Sequence, residues 1–493
     1  MSYKPTIGLE IHVELKTKTK MFCDSPNDLL EKHPNIYICP ICMGHPGTLP
    51  VINKEAVKMT VLAGFALNCD IDKETFFERK NYFYPDIPKG YQITQFQKPL
   101  CSNGYLEIES ENKVKKIRIK RIHLEEDTGK LIHPEKRDYS LVDYNRAGVP
   151  LMELVTEPDF ENGDEVRKFA EELQLICRYI GISDADMEKG QMRVEVNISI
   201  SKNDNWGTKV EIKNLNSIRA AAQSVDYEIE RQEELLESDK EIKQETRGWD
   251  ENKRKTFGQR VKEGSADYRY FPEPDLPPLN LSDEFIEEVK SRITELPVEK
   301  RNRFKKEYNL PETDIEVLIK NKNLSEFFEN TVSELDSWDE LEHLNRPESE
   351  HRTKLVKLTA NYIINDFKNL LGTLEEVEFD GLKINPHHMG EFVVRIFHKE
   401  ISSTNAVKVL EKMFREGKDP GQIIEEGNLG QVSDVAELEK IVMEVISETP
   451  DPVKDYKSGK VVAIQSLIGK VMAKTKGKAN PGIVKEIIEK QLV

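Results

Sequence analysis

The chain has 493 residues, more than one ordinary hydrophobic core holds, so its length predicts two to four domains. The net charge of −17 argues against non-specific nucleic-acid binding by the whole surface, and 38% apolar residues exclude a chain that is disordered throughout. With no secretory leader and no membrane-length apolar run, we expect a cytoplasmic protein with six reduced cysteines. The phosphate-loop motif G-x-x-x-x-G-K-[ST] is absent, so any use of ATP requires another architecture.

The first predicted element is a β-strand over residues 8–17, GLEIHVELKT. Apolar and polar residues alternate along it, which is the period of a half-buried strand. Its polar face carries Glu10, His12 and Glu14. Taken alone, such a face is typical of a solvated antiparallel sheet, and the rest of the chain decides whether it is a site.

Three cysteines follow this strand with the spacing of a zinc site. Cys39 and Cys42 form a Cys-x-x-Cys pair, and Cys23 lies sixteen residues before it. A closed structural site needs four ligands, and His33 or His45 is the candidate for the fourth. The alternative is a loop of reduced cysteines that binds no metal.

Helices and turns organise the rest of the chain. Residues 53–68 predict a helix that begins at Asn53, and residues 164–181 predict one that begins at Asp164 and ends at Gly181. Because strands arrive in pairs with helices beside them, we expect an α+β domain around an antiparallel sheet over residues 1–293. Beyond it, amphipathic helices punctuated by proline predict an all-α linker at 294–346 and an all-α tail at 347–493.

Three later segments repeat the pattern of the first strand: residues 122–127, 192–200 and 209–214. Each places an acid in mid-strand on its polar face, namely Glu125, Glu195 and Glu211. If the four strands share one sheet, these acids converge with Glu10 and His12. Clustered carboxylates repel one another unless a cation neutralises them, and an oxygen-rich set suits Mg²⁺. There are two alternatives. Lysine and arginine side chains on the same sheet face neutralise the acids without a metal, or the strands belong to different sheets.

A loop rich in tyrosine and basic residues lies between these strands, at residues 79–96, RKNYFYPDIPKGYQITQF. It combines cationic side chains, Lys80 among them, with several aromatic rings. Such a loop is suited to gripping phosphates and stacking a base or ribose. Tyrosines packed on the surface are the alternative.

Long motifs in this order resemble the B subunits of the tRNA-dependent amidotransferases over residues 6–280. They include IGLEIHVELKTKTKMFC, CPICMGHPGTLPVIN, ERKNYFYPDIPKGYQITQF, HLEEDTGKLIH, DYNRAGVPLMELVTEPD and GSADYRYFPEPDLPPL. A weaker match, GKVMAKTKGKANPGIVKEII, is similar to the family's YqeY-type tail. The resemblance implies a cradle-like N-terminal domain that binds ATP and Mg²⁺ without a phosphate loop. It also implies a heterotrimer with an amidase (A) subunit and a small C subunit.

The activity that this resemblance implies is the conversion of misacylated Glu-tRNA(Gln) or Asp-tRNA(Asn). The side-chain carboxylate is phosphorylated to an acyl phosphate, which ammonia from the amidase subunit then amidates. In the implied site, Mg²⁺ is held by Glu10, His12, Glu125, Glu195 and Glu211. Lys80 would neutralise phosphate, Glu126 is an alternative ligand to Glu125, and His12 is also suited to orienting a water, since imidazole is an unusual Mg²⁺ ligand.

Two positions depart from the family pattern. The family often has FCxC where this chain has Cys23-Asp24-Ser25, which weakens the zinc prediction. It usually has aspartate where this chain has Glu195, a change that keeps the charge and lengthens the side chain by one methylene.

The C-terminal tail is basic within an acidic chain. Residues 453–493 contain nine lysines against three acids, and Lys474, Lys476 and Lys478 lie near a Gly/Asn/Pro turn. With the resemblance, this predicts contact with the tRNA backbone; a solvated basic face is the alternative. A noncatalytic tRNA-binding scaffold is the second hypothesis for the whole chain, although clustered acids would repel the phosphates of a bound tRNA.

Overall fold

The computed structural model describes residues 3–28, 31–134, 137–202, 205–261, 267–338, 350–372, 379–430, 435–460, 462–475, 479 and 481–492. The chain forms two compact units, Met1–Pro297 and Val298–Val493. The first unit is α+β and the second is helical, as predicted. The finer boundaries expected at residues 293 and 346 stay predictions.

Every strand in the described part of the chain belongs to the first unit. They are β1 (Lys4–Glu14), β2 (Asp70–Ile71), β3 (Glu74–Thr75), β4 (Glu78–Asn81), β5 (Tyr91–Thr94), β6 (Cys101–Ser110), β7 (Lys113–Glu126), β8 (Lys130–Ile132), β9 (Leu141–Asp143), β10 (Pro150–Thr156), β11 (Met192–Ser201), β12 (Val210–Leu215), β13 (Glu245–Asp250), β14 (Lys255–Val261), β15 (Phe271–Pro272) and β16 (Leu279–Asn280). The helices of this unit are α1 (Lys54–Ala66), α2 (Gly163–Tyr179), α3 (Ile218–Glu237) and α4 (Asp283–Lys290).

The second unit consists of helices in the described part of the chain. They are α5 (Pro297–Tyr308), α6 (Glu312–Ile319), α7 (Lys322–Trp338), α8 (Glu350–Asn361), α9 (Lys368–Leu371), α10 (Pro386–Phe397), α11 (Ser403–Glu416), α12 (Pro420–Glu426), α13 (Val435–Glu448), α14 (Pro450–Lys457), α15 (Ala463–Lys474) and α16 (Pro481–Leu492). A π-helix, Tyr362–Phe367, joins α8 to α9, and a 3₁₀ turn spans Phe379–Gly381.

One large sheet dominates the first unit. Its strands run in the order β14-β13-β12-β11-β1-β10-β7-β5-β4-β15, with β6 paired to β7 and to β2. The neighbours are antiparallel except β12 and β13, which are parallel. Helix α3 lies between these two strands in the chain, and a parallel pair needs such a crossover. The sheet is therefore mixed at this one position.

The apolar face of the sheet packs against helices. Ile11 of β1 and Ile122 of β7 share one core with Val57 of α1, Phe169 of α2 and Val225 of α3. Because side chains alternate along a strand, burying these residues turns the polar residues of the central strands to the opposite face. That face carries the candidate site.

The ends of two helices test the sequence predictions directly. Asn53 caps α1 as expected, and its side chain accepts from the amides of Glu55 and Ala56. The prediction that Asp164 begins the second helix was wrong, because α2 begins one residue earlier and Asn162 caps it by accepting from the Glu165 amide at 2.9 Å. Asp164 lies in the first turn, where it suits the helix dipole.

The last helices of the second unit share a small core of their own. Leu438 and Val442 of α13 pack with Leu467 of α15 and Ile488 of α16. In neither unit does any described helix have the length and apolarity needed to cross a membrane.

Candidate active site and thiol cluster

The register of the central strands aligns acidic and basic side chains across the polar face. On β1, Glu10 lies opposite Glu195 of β11, and His12 lies opposite Glu153 of β10. Glu153 in turn lies opposite His123 of β7. All four strands predicted from the repeated pattern belong to this sheet, so their polar residues meet.

The first cluster consists of His12, Glu125 and Glu153, whose ligand atoms lie within 4.8 Å of one another. His12 Nε2 is 3.6 Å from Glu125 Oε1 and 3.3 Å from Glu153 Oε2. His123 Nε2 approaches the same two carboxylates at 3.9 and 3.7 Å. Thr94 Oγ1 donates to Glu125 Oε2 at 3.2 Å. Two acids and two imidazoles thus share a buried space.

Burial and mutual repulsion shape the charges of this cluster. Burial, with the neighbouring Glu153 carboxylate, raises the pKa of Glu125 to about 7. Burial opposes a charge on His12, but Glu153 and Glu125 outweigh it and raise the pKa of His12 to about 9. Burial lowers the pKa of His123 to about 4, so this imidazole is neutral near pH 7. The carboxylates therefore attract positive charge, as a divalent cation site requires.

The second cluster consists of Glu10, Glu195 and Glu211, with ligand oxygens within 4.8 Å of one another. Asn197 donates to Glu10 Oε1 at 3.0 Å, orienting that carboxylate. Lys213 Nζ lies 2.7 Å from Glu195 Oε2 and 3.4 Å from Glu211 Oε1, and the acids raise its pKa despite its burial. Three carboxylates with one ammonium leave net negative charge, which suits a hard divalent cation such as Mg²⁺.

The structure therefore divides the predicted ligand set between two clusters. Glu10, Glu195 and Glu211 belong to one, and His12 and Glu125 belong to the other. The sharing of one cation by Glu10 and Glu125 stays a prediction.

Glu126 enters neither cluster. It follows Glu125 directly, so its side chain points to the other face of β7, where it accepts from the Ile93 amide at 2.9 Å and pairs with Lys89.

The prediction of one loop over residues 79–96 was wrong, because this segment includes strand β5 and most of β4, which pair with each other. Lys80 lies on β4, where it is close enough to the acids for their charges to act on it. Burial opposes its charge, but Glu125 leads the groups that raise its pKa. Its Nζ lies 5.1 Å from the ring centre of Tyr268 and 5.9 Å from that of Tyr82. By contrast, Arg79 is held by Glu273 at 2.7 Å. Lys80 is thus placed to meet a negative group that enters beside the first cluster.

A third group of charged side chains, formed by two acids and two arginines, lies next to the first cluster on the polar face of the sheet. Arg193 Nη2 lies 3.1 Å from Glu14 Oε1 and also contacts Asp127, and Arg146 Nε lies 3.4 Å from Asp127 Oδ2. Burial raises the pKa of Glu14 to about 8, with Asp127 adding to the effect. The two arginines outweigh burial at Asp127 and lower its pKa. Glu14 and Asp127 thus differ in protonation near pH 7.

Sequence reasoning missed Glu153 and His123 as members of the site. Glu153 lies in β10, PLMELVT, an almost wholly apolar strand that shows no alternation. The available signal was the acid itself, because a carboxylate inside an apolar strand needs a buried partner. His123 precedes the predicted acid by two residues and shares its face.

The three predicted thiols do come together. The sulfurs of Cys23, Cys39 and Cys42 lie within 4.8 Å of one another. Hydrogen bonding from Cys23, with a contribution from Lys20, lowers the pKa of Cys42 to about 5. Neither His33 nor His45 joins the group in the described part of the chain, and His33 instead contacts Glu31 at 2.7 Å. The thiols fit a zinc ion but supply three of its four ligands.

The tail lysines are only partly described. Lys474 pairs with Glu448 at 2.8 Å and Glu444 at 3.1 Å, both on α13. Lys476 and Lys478 lie outside the described residues. Contact of this segment with tRNA stays a prediction.

Comparison with known proteins identifies the family. The profile of the GatB/GatE catalytic domain matches residues 5–287, and that of the GatB domain matches residues 348–492. The chain is 45% identical over 498 residues to the B subunit of the aspartyl/glutamyl-tRNA(Asn/Gln) amidotransferase of Thermotoga sp. (strain RQ2), covering 100% of this chain and 99% of the relative. The protein of the same name from Persephonella marina is 46% identical over 496 residues, with both chains fully covered.

A further relative, designated B subunit 2 of the aspartyl/glutamyl-tRNA(Asn/Gln) amidotransferase in Clostridium acetobutylicum, is 46% identical over 498 residues and is also fully covered. The two profiles define a protein with a catalytic domain followed by a helical family-specific domain. The chain belongs to the family of B subunits of the aspartyl/glutamyl-tRNA(Asn/Gln) amidotransferases.

Proposed function

We propose that this chain carries out the transamidation of Glu-tRNA(Gln), Asp-tRNA(Asn) or both, as the activating component of a multisubunit enzyme. The observation that supports this proposal best is the pair of acid clusters on one face of the sheet, with Lys80 beside the first cluster. A scaffold that only holds tRNA has no use for converging carboxylates, because they repel phosphates.

The proposed reaction has two steps. An oxygen of the substrate's side-chain carboxylate attacks the γ-phosphorus of ATP, the bond to the β-phosphate oxygen breaks, and ADP leaves. Ammonia then attacks the carbonyl carbon of the acyl phosphate, the carbon–oxygen bond breaks, inorganic phosphate leaves and a proton is lost. Phosphoryl transfer demands alignment and charge neutralisation more than covalent chemistry.

The two clusters divide this work. Glu10, Glu195 and Glu211 would hold one Mg²⁺, and Glu125 and Glu153 with His12 would hold a second cation or a proton in its place. Bound Mg²⁺ would neutralise the phosphate oxygens and bring them near the acids. Lys80 would balance the charge on the transferred phosphoryl group.

Ammonia must come from elsewhere in the complex. A thiol nucleophile needs a low pKa, and burial raises that of Cys69 and Cys177 to about 12. The pKa of Cys42 is lowered, but this thiol belongs to the cluster with Cys23 and Cys39 that we assign to zinc below. We therefore propose an amidase subunit as the ammonia source, with a small C subunit completing the heterotrimer. The isolated chain should then use ammonium but not glutamine, and glutamine-dependent product from the chain alone would refute this division.

The test is ATP cleavage stimulated by misacylated tRNA in the assembled complex. Glu125→Gln removes the charge without changing shape and should lower kcat at least about 100-fold. Glu109→Gln, an exposed acid at the end of β6, serves as the matched control and should leave the rate unchanged. Equal rates for wild type and Glu125→Gln would favour the scaffold. Parallel assays with Glu-tRNA(Gln) and Asp-tRNA(Asn) define the substrate.

We also propose that Cys23, Cys39 and Cys42 bind a structural zinc ion. Metal analysis of protein purified without chelator should give about one zinc per chain. A value near zero would favour the loop of reduced cysteines.

A further inference from the structure

Arg121 is an arginine of β7 at the edge of the first acid cluster. It precedes His123 by two residues and Glu125 by four, so the three side chains share the polar face of the sheet. The Arg121 side chain is 23% exposed, whereas those of His123 and Glu125 are 3% and 4% exposed. Arg121 therefore lies at the more exposed end of this row, between the buried acids and the solvent.

The guanidinium of Arg121 makes only weak polar contacts with the described residues. Its Nη2 lies 3.8 Å from Glu153 Oε1, which is too far for a hydrogen bond. Its Nη1 donates to the Phe96 carbonyl at 3.5 Å, at the upper limit for such a bond, and the buried Nε has no hydrogen-bond partner among these residues. Since a guanidinium carries five N–H donors, most of its hydrogen-bonding capacity is left for another group.

Other arginines of the first unit are paired much more closely. Arg79 donates to Glu273 from two nitrogens at 2.7 and 2.8 Å, and Arg118 donates to Asp159 at 2.9 and 2.6 Å. These are the two-bond pairs that arginine favours with carboxylates. Arg121 forms no such pair with any described carboxylate, so its fork remains able to bind one.

Aromatic packing fixes the position of the Arg121 guanidinium. Its Cζ lies 5.3 Å from the ring centre of Phe96, which stacks on Tyr270 at 4.2 Å with an angle of 7° between the rings. Phe96 is held in turn by the buried Glu78, whose Oε2 accepts from the amides of Phe96 and Gln97 at 3.0 and 2.7 Å. The guanidinium is thus oriented before a ligand binds, which reduces the entropy lost on binding.

The proposed reaction brings two anionic groups to the first cluster, the side-chain carboxylate of the aminoacyl-tRNA and the γ-phosphate of ATP. A guanidinium fork matches the geometry of either group. In the function proposed above, Mg²⁺ held by the acids would neutralise the phosphates, and Lys80 would balance the transferred phosphoryl group. The substrate carboxylate is then the anion that still needs a cationic partner, and Arg121 is the arginine beside it.

We propose that Arg121 binds the side-chain carboxylate of the substrate end-on, with one Nη group donating to each oxygen. Each carboxylate oxygen has two lone pairs, so this contact leaves one on the attacking oxygen for the γ-phosphorus. Arg121 is then a catalytic residue, because it touches the substrate, and it distinguishes the charged Glu-tRNA(Gln) from the neutral product Gln-tRNA(Gln). The inference rests on the transamidation proposed above.

The test compares the binding of Glu-tRNA(Gln) and Gln-tRNA(Gln), which differ only by a carboxylate in place of an amide. Filter binding to the assembled complex, with Mg²⁺ and without ATP, gives both Kd values, and the wild type should prefer Glu-tRNA(Gln). Arg121→Gln should lower this preference about 10-fold or more, because a charge-assisted contact is lost. Arg118→Gln, on an exposed side chain of the same strand, is the control and should keep the preference. An unchanged preference in Arg121→Gln, or none in the wild type, would overturn the proposal.

Arg121→Lys separates the fork from the charge, and it decides the case if Arg121→Gln does not fold. Lysine keeps a positive charge near Glu153 but donates from a single nitrogen, so the preference for Glu-tRNA(Gln) should still fall about 3-fold or more. Full preference in Arg121→Lys would show that the charge alone is enough and would overturn the end-on contact.

Steady-state kinetics distinguishes the carboxylate from the phosphate as the ligand. Arg121→Gln should lower kcat for tRNA-dependent ATP cleavage and leave the KM for ATP unchanged. A raised KM for ATP with an unchanged binding preference would assign Arg121 to the phosphates and overturn the contact with the carboxylate. Because the binding preference is measured without ATP cleavage, its failure is distinguishable from a failure of the proposed function, which Glu125→Gln tests.

Discussion

Glu153 occupies the centre of the first acid cluster. It lies 3.3 Å from His12, 3.7 Å from His123 and 3.8 Å from Arg121. Burial disfavours its charge, but His123, His12 and Lys80 together outweigh burial and lower the pKa of Glu153, so this carboxylate stays ionised. It thereby holds both imidazoles and raises the pKa of Glu125. A single side chain thus sets the protonation of its neighbours.

Replacing this residue should impair catalysis more than substrate binding. Glu153→Gln keeps the shape and removes the charge that orients His12, so we expect kcat for tRNA-dependent ATP cleavage to fall about 100-fold with little change in KM for tRNA. Glu157→Gln, four residues further on, should have no effect on kcat. A variant with normal kcat would remove Glu153 from the site.

Glu14 makes the stability of the first unit depend on pH. Its pKa is raised from 4.5 to about 8 by burial, so the folded state keeps a proton that the unfolded state releases. The stability from this proton is complete below about pH 4.5 and is lost as pH rises through 8. The side chain of Glu14→Gln is permanently neutral, so this variant should not lose stability through this position as the pH rises.

The comparison needs urea unfolding at pH 5 and pH 8 in the presence of EDTA. Between these values, wild type should lose at least about 1 kcal/mol more stability than Glu14→Gln. Glu188→Gln, an exposed acid, should follow the wild type. Parallel pH profiles for wild type and Glu14→Gln would show that Glu14 is ionised in the folded protein.

At the scale of elements, local patterns predicted the strands but not their register. Alternation in β1, β7, β11 and β12 was visible in the sequence, and it turned Glu10 and Glu125 to the polar face. The division into two clusters depends on how distant strands pair, with β10 inserted between β1 and β7. Such pairing is set by the whole core rather than by any one strand, so the sequence pattern could not show it.

The start of α2 illustrates the same limit. Both Asn162 and Asp164 are residues that commonly cap helices, and the choice between them follows from where the backbone turns. Asn162→Ala removes the observed cap and should lower the free energy of unfolding by about 1 kcal/mol. Asp164→Ala should cost less, because this side chain makes exposed pairs with Arg167 and Lys168. Thermal unfolding of both variants checks the order, and a larger effect at Asp164 would contradict the observed cap.

At the scale of the whole molecule, the tail at residues 453–493 carries a net positive charge, whereas the chain as a whole has a net charge of −17. Deleting residues 453–493 would remove α15 and α16, which share a core with α13, and would damage the fold along with the charge. Neutralising single lysines is the cleaner change. Replacing Lys474, Lys476 and Lys478 with glutamine should raise the KM for aminoacyl-tRNA and reduce its salt dependence, because contacts with phosphates are lost.

The matched control replaces three lysines elsewhere in the second unit, Lys306, Lys408 and Lys412, which are exposed. Binding measured across a range of salt concentrations should show a slope smaller by about 1 or more for the tail variant and unchanged for the control. Equal slopes for both variants would assign the tail lysines to solvation, consistent with the pairing of Lys474 to α13.

The central claim is that the sheet face activates the substrate carboxylate as an acyl phosphate. The most direct measurement follows oxygen from Glu-tRNA(Gln) labelled with ¹⁸O in the side-chain carboxylate, incubated with the complex, ATP and ammonium. The oxygen that attacks the γ-phosphorus leaves with phosphate when ammonia displaces it, so mass spectrometry should find one ¹⁸O in the inorganic phosphate for each amide formed. Amide formation with unlabelled phosphate would contradict the account.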